Sequence, residues 1–292
     1  MRGVGAALRT ARRLTVDALV DAALAEDVGD GDRTTRWVVP SGASGRARIV
    51  ARMAGVVAGT GPAERAFRRL DPRLQVAWRV EDGGRVAPDS EVGEIRGSLR
   101  AILTGERTAL NFLSHLSGVA TLTARFVEAV RGTDCRITDT RKTLPGWREL
   151  EKAATAAGGA VNHRRGLYDM VLLKENHLRV AGGVERALRA VAEPADREDL
   201  VIEVEVGDLR ELQEALACRP DRILLDNMPA ESLRKAVERV RQVEGSRPLL
   251  EASGGVELET VREVAETGVD LISVGALTHS APALDLSLLV ET

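Results

Sequence analysis

From Arg136 onward the chain alternates short apolar runs with longer amphipathic stretches. The runs centre near Ile137, Val161, Leu172, Ile202, Leu224, Leu249 and Ile272, and the segments 183–191, 209–217, 231–243 and 258–267 place apolar residues at helical spacing. Strands that recur with a helix between them predict βα units feeding one parallel sheet, as a barrel or a doubly wound sheet, with six or seven strands. The earlier part has a different rhythm. Val16, Leu19, Val20, Ala23 and Leu24 mark one face of a helix, and in residues 46–57 Ala47, Ile49 and Ala51 alternate with Arg46, Arg48 and Arg52 as in a strand with one wet face. A short helix over 62–70 and strands over 74–80 and 92–102, around a turn at Gly83-Gly84, complete a small α+β domain. Thr104 is expected to cap a long helix, striped by Leu113, Leu116, Ala120, Ala124 and Val127 and bent near Gly118, that joins the two domains. Leu284, Leu286 and Leu288 alternate with Asp285 and Ser287, which predicts a last strand in the small domain's sheet. The expected organisation is 1–117 plus 280–292 as the N-terminal α+β domain and 118–279 as the βα domain.

At 292 residues and 44% hydrophobic content, the chain can bury two real cores. A net charge of -3 carries no nucleic-acid signature, and no apolar run approaches the length of a membrane span. Two isolated cysteines, Cys135 and Cys218, form neither a metal motif nor a disulfide framework, which suits a reducing cytoplasm. Arg2, Arg9, Arg12 and Arg13 precede the first acid, as in a transit peptide, but the stretch lacks serine and leads into a helix, so ordinary N-terminal structure is expected. Glu26, Asp27, Asp30 and Asp32 crowd one loop; their spacing fits no calcium loop, and capping and turn chemistry explain them better.

Basic residues change the picture between Thr138 and Leu178. Arginine dominates the chain, yet three of its four lysines, Lys142, Lys152 and Lys174, fall in this stretch with Arg141, His163, Arg164 and Arg165. Lysine is a point charge suited to a single phosphate oxygen, whereas the planar arginine fork suits carboxylates. Pro145-Gly146 separates a short strand at 137–140 from a helix with Trp147, Leu150, Ala153, Ala154 and Ala157 on one face. Gly158-Gly159 ends that helix before a second short strand, 160–163. Lys152, mid-helix, is expected to pair with Glu149 as a structural residue. Most later strands also end in useful chemistry: Glu203 and Glu205, Asp226, Ser253 with Gly254-Gly255, and Gly275. In βα folds strand C-termini meet at one end of the sheet, so these residues are expected to line one pocket. Glu203 and Glu205 share a strand face and must meet cations or a metal if buried. Ser253-Gly254-Gly255 and Val274-Gly275-Ala276 read as backbone cradles for phosphate.

The motifs TRKT-PG, GG-x-VNHR-x-GLYD and LLKENH, preceded by GERTALNFLSHLSGVAT and followed by EVEV, ILLDNM, EASGG and SVGALTHS, resemble quinolinate phosphoribosyltransferase from about Ala25 to the end of the chain. The resemblance implies a type II phosphoribosyltransferase-like fold: a small α+β sandwich domain and an incomplete, six- or seven-stranded TIM-like βα barrel. It implies phosphoribosyl transfer from phosphoribosyl pyrophosphate (PRPP) to quinolinate with decarboxylation, in a homodimer with Mg2+ as cofactor. Arg107, Thr140, Arg141, His163 and Arg164 would hold quinolinate, with Arg107 reaching the neighbouring subunit's site. Lys142, Lys174, Glu203, Asp226, Ser253, Gly254, Gly255, Val274, Gly275 and Ala276 would hold PRPP, and Glu203 and Asp226 would also hold Mg2+, directly or through water.

Within that set Lys142, Lys174, Glu203 and Asp226 are the expected catalytic residues. Ala252 and Trp147 depart from the usual pattern, and His115 is assigned no catalytic role. Three rival functions keep parts of this picture: a Schiff-base lyase or aldolase using Lys174, a non-catalytic anion-binding relative, and a transferase specific for nicotinate, which lacks the second ring carboxylate.

Overall fold

The computed structural model describes residues 14–192 and 199–291. The arginine-rich N-terminal segment lies outside them. The chain divides into two compact units, one holding residues up to Thr121, Pro145–Ala157 and Pro282 onward, the other Leu122–Leu144 and Gly158–Ala281.

In the first unit, helix α1 (Val16–Val28) starts where the Thr15 hydroxyl accepts from the Ala18 amide at 3.2 Å, and it stops at Gly29, φ 51°. Asp32 caps α2 (Arg33–Val38) by accepting from the Thr35 amide at 2.9 Å. The Thr35 hydrogen bonds hold the Asp32 carboxyl below its usual range, so this acid of the loop serves as a cap. Strands β1 (Ser44–Ala51), β3 (Gln75–Trp78), β5 (Glu91–Ser98) and β12 (Leu286–Glu291) form an antiparallel sheet in the order β12-β1-β5-β3. Ala47, Ile49 and Ala51 are buried, while Arg46 and Arg48 on the other face pair with Glu94, Glu91 and Glu291. The strand expected over 46–57 stops at Ala51, and its last residues form β2 (Gly55–Val56), which pairs with β4 (Arg85–Val86). Helix α3 (Thr60–Leu70) buries Pro62, Ala63, Ala66 and Phe67.

Two expectations fail in this unit. The long helix α4 (Leu99–Ala129) begins at Leu99, directly after β5, so Thr104 is no cap; its hydroxyl donates to Asp32 at 3.1 Å. Arg100 anchors the first turn instead, donating to the carbonyls of Val39 at 2.8 Å and Arg36 at 2.9 Å. Helix α5 (Arg148–Ala157) buries Leu150, Glu151, Lys152, Ala154 and Thr155 and exposes Ala153, so its inner face is largely polar and Lys152 points inward. The segment belongs with the first unit because Trp147 stacks on Phe112 (centroids 4.7 Å apart) and Glu151 meets His115 Nε2 at 2.8 Å. Gly118 marks a close approach: a Cβ there would lie 2.1 Å from the Pro282 carbonyl oxygen.

The second unit is built on six parallel strands in the order β6-β11-β10-β9-β8-β7. They are β6 (Arg136–Thr138), β7 (Val171–Leu173), β8 (Ile202–Val206), β9 (Arg222–Asp226), β10 (Leu249–Ser253) and β11 (Leu271–Ser273). The strand expected at 160–163 shrinks to one bridge, Thr138 to Val161, because Asp139 draws the following residues into side-chain hydrogen bonds. The helices are α6 (Glu175–Ala181), α7 (Val184–Ala192), α8 (Leu209–Cys218), α9 (Ala230–Arg241), α10 (Val261–Ala265) and α11 (Ala276–His279). One face of the sheet carries Ile137, Ile202, Val204, Val206, Ile223, Leu225, Leu250, Ala252 and Ile272 into a core shared with Leu188, Leu212, Leu233 and Val237. Each Val, Leu or Ile among them contributes about 1.5–3 kcal/mol on burial. By strand alternation the other face carries Glu203, Glu205, Arg222, Asp226, Glu251, Ser253 and Ser273. No helix among the described residues is long and apolar enough to cross a membrane.

Candidate active site

The polar face of the second unit's sheet and the loops at its C-terminal end gather most of the predicted residues. After β6, Thr140 Oγ1 accepts from the Lys142 amide at 3.0 Å, which turns the chain so that Arg141 is half-buried and Lys142 exposed. Thr278 donates to the Lys142 carbonyl at 2.8 Å. A Cβ on Gly275 would lie 2.9 Å from Lys142 Cδ, so the lysine stem runs over that glycine. Lys142 and the loop after β11 thus form one surface. Val274 is buried and its amide donates to the Thr138 carbonyl at 3.0 Å, so that amide belongs to the sheet and not to a cradle.

Asp139, wholly buried, organises the next loop. Its Oδ1 accepts from the His163 amide at 2.8 Å and its Oδ2 from Asn162 Nδ2 at 2.6 Å. His163 and Arg164 are both buried, and Arg164 donates to the Met170 carbonyl at 3.3 Å. Burial first, and the neighbouring Arg141 guanidinium second, hold the Arg164 pKa below the ordinary guanidinium value. Two like charges kept this close are poised for an anion. The turn beyond is fixed by Asp169, which accepts from the Arg165 and Gly166 amides.

Lys174 leads into α6, and its amide donates to His177 Nδ1 at 2.9 Å, which makes His177 a cap for that helix. The Lys174 ammonium, about half exposed, sits 3.5 Å from Glu205 Oε2. The sequence favours Glu203 as the acid of this site; the structure favours Glu205. Glu203 is wholly buried and its Oε2 is 3.0 Å from His163 Nε2, whereas Glu205, one inward position nearer the strand end, reaches the mouth. Asp226 ends β9, is partly exposed, and lines with Glu205 a cleft of about 580 Å³. Asn227, in the left-handed region at φ 52°, donates to Asp226 Oδ2 at 2.7 Å, and its own amide donates to the Ser253 carbonyl at 2.8 Å. A Cβ on Gly254 would fall 2.2 Å from Asn227 Oδ1, so the end of β10 must carry glycine. Gly254 and Gly255 have φ of 95° and 58°, the open backbone expected of the Ser253-Gly254-Gly255 loop.

Arg107 lies exposed on α4 in the first unit. Sequence reasoning missed Asp139, Asn227, Arg222 and Glu251. Asp139 and Asn227 sit inside the motifs read above, directly beside Thr140 and Asp226, and Glu251 shares an inward face with Ser253.

Two guanidiniums, two ammonium groups and two partly exposed carboxylates at the C-terminal end of a parallel βα sheet define a barrel enzyme for small polyanionic substrates. The particular family follows from comparison. Residues 32–117 match the quinolinate phosphoribosyl transferase N-terminal domain and residues 119–289 its C-terminal domain, and the chain belongs to that family. It is 46% identical over 272 residues to a nicotinate-nucleotide pyrophosphorylase [carboxylating] of Mycobacterium leprae, covering 91% of this chain and 94% of the relative. A probable enzyme of the same name from Synechocystis is 42% identical, covering 94% and 92%. The structure of the nicotinate-nucleotide pyrophosphorylase from Francisella tularensis superposes with a TM-score of 0.89 at 38% identity, covering 94% of this chain and 96% of that one.

Proposed function

We propose that the chain transfers the phosphoribosyl group of PRPP to quinolinate with decarboxylation, giving nicotinate mononucleotide, pyrophosphate and CO2, a step of de novo NAD biosynthesis. The observation that carries the reading is the Arg141–Arg164 pair: burial first, and the Arg141 guanidinium second, lower the pKa of Arg164, and a bound dicarboxylate would relieve both costs. Thr140 lies beside the pair. Arg107 would complete the clamp from a second copy in a homodimer. Lys142 and Lys174 take pyrophosphate oxygens as point charges. The 5'-phosphate rests on the loop amides around Ser253, Gly254, Gly255, Gly275 and Ala276.

The donor set at Asp226 fits Mg2+, since this carboxylate is partly exposed at the strand end and held by Asn227, and the ion takes few carboxylates beside substrate and water oxygens. Bound there, Mg2+ would neutralise charge on the departing pyrophosphate. As the C1'–oxygen bond breaks, the ribose ring gains positive charge, which Glu205 stabilises. The pyridine nitrogen then bonds to C1'. The carboxylate beside that nitrogen leaves as CO2, its electron pair stays on the ring carbon under the new positive charge, and a proton from water completes the product. Lys174 is ion-paired and half exposed, opposite to the desolvated amine that Schiff-base chemistry uses. Two free cysteines suit the cytoplasm as the compartment.

The test is an assay of the purified chain with PRPP, Mg2+ and either quinolinate or nicotinate, following mononucleotide and CO2. Product from quinolinate alone, abolished by chelator, is expected. Turnover of nicotinate at a comparable rate would overturn the dicarboxylate clamp.

A further inference from the structure

Arg141 and Arg164 follow two short extended segments that start out paired. The Val161 amide donates to the Ile137 carbonyl at 2.9 Å, and the Asp139 amide donates to the Val161 carbonyl at 3.4 Å, which makes Thr138 and Val161 a parallel bridge. By the repeat of a parallel ladder, the next bond would run from the His163 amide to the Asp139 carbonyl. A different acceptor takes its place. The His163 amide donates to Oδ1 of the Asp139 side chain at 2.8 Å, and Asn162 Nδ2 donates to Oδ2 at 2.6 Å. The ladder stops there, with Arg141 two residues beyond Asp139 on one segment and Arg164 directly after His163 on the other.

This substitution of a side chain for a backbone carbonyl has a geometric effect. A continued ladder would carry the segments on side by side at about 4.8 Å. Instead the first segment turns, with Thr140 Oγ1 accepting from the Lys142 amide at 3.0 Å, and the second is held at residues 162 and 163 by one wholly buried carboxylate. Both halves of the clamp therefore take their places from the same residue. A carboxylate suits the task because each of its oxygens accepts and neither donates. An asparagine would offer one acceptor and set its own amide nitrogen against that of Asn162.

We propose that Asp139 is a positioning residue that sets the separation of Arg141 and Arg164, and through it the preference for a substrate with two adjacent ring carboxylates over one with a single carboxylate. The substrate in this statement rests on the transferase reading; the hydrogen bonds do not. Charge and position make opposite forecasts. If Asp139 acted only through its charge, removing that charge beside two guanidiniums would tighten their hold on an anion. If it acts by holding residues 162 and 163, its removal weakens that hold.

The tests use the full chain. Asp139→Asn keeps an acceptor for the His163 amide and loses the bond to Asn162. KM for quinolinate should rise about tenfold or more, as for the loss of one hydrogen bond to a charged group. KM for PRPP should stay near the wild-type value, and the preference for quinolinate over nicotinate should fall. Asn162→Ala removes the same bond from its other end. The double variant should be no worse than Asp139→Asn alone, because residues that share one interaction do not add. A KM for quinolinate that falls in Asp139→Asn, a parallel rise in both KM values, or additive effects would each overturn the positioning role. Hydrogen exchange supplies a readout without turnover: the His163 amide should exchange slowly in the wild type and much faster in Asp139→Ala, with the amides of β9 still protected. Equal exchange at His163 would overturn the proposal, whereas a wild-type chain that protects this amide but does not turn over quinolinate would overturn the transferase reading instead.

Discussion

Lys142 and Lys174 each place one ammonium at the mouth, Lys142 over Gly275 and Lys174 beside Glu205. If they hold the leaving pyrophosphate, replacing either by alanine costs about 10²–10³ in kcat with the fold unchanged; a near-wild-type rate with normal circular dichroism would remove that lysine from the mechanism. Glu251 offers a test that needs no substrate. Its folded pKa is raised above the unfolded carboxyl, so between the ordinary value of 4.5 and about 7 the folded chain keeps a proton that the unfolded chain has lost. Stability contributed by this group is full below that window and falls as pH rises through it. Denaturant titrations at pH 5 and pH 7 should show a smaller loss in Glu251→Gln than in wild type, and equal losses would mean that the carboxyl is ionised throughout. At this scale the sequence was readable where chemistry sits at a strand end. It chose Glu203 over Glu205 without a physical ground for the choice, because residues two apart share a face and only depth along the strand separates them. Asp139 and Glu251 act through partners far along the chain, His163 in both cases, and no local pattern announces such pairs.

Asn227 joins two elements, holding Asp226 at the end of β9 and backing Gly254 at the end of β10. Asn227→Gly keeps the left-handed backbone and removes only the amide, so the chain should fold with little change in Tm while KM for PRPP rises about tenfold, by the loss of roughly one charge-assisted hydrogen bond. An unaltered KM would show that Asp226 needs no such support. Gly118→Ala pushes a methyl into the Pro282 carbonyl and should cost about 1–3 kcal/mol in chemical denaturation. Helices and strands with regular apolar spacing were legible, and so was the return of the last strand to β1. The start of α4 was hidden because a strand runs into it with no cap residue of the usual kind, and Arg100 does the anchoring from within the helix. The inner face of α5 was misread for a simpler reason: Glu151, Lys152 and Thr155 occupy positions that a hydrophobicity pattern assigns to solvent.

For the molecule as a whole, the proposed homodimer makes each site depend on Arg107 of a second copy. Arg107→Ala and Lys174→Ala enzymes, each inactive, should therefore regain activity when unfolded together and refolded as a mixture. Random pairing restores about a quarter of the wild-type sites. No recovery would mean that each chain supplies its own arginine or needs none. The division into two units adds a constraint of another kind. The chain leaves the first unit after Thr121, returns to it for Pro145–Ala157, and comes back last for β12, which pairs along β1 from Arg46 to Ala51. During synthesis, then, β1 waits with an open edge until β12 has been made, and a cut before Leu286 should leave that edge free to pair with another chain, which light scattering of a chain truncated before Leu286 would show.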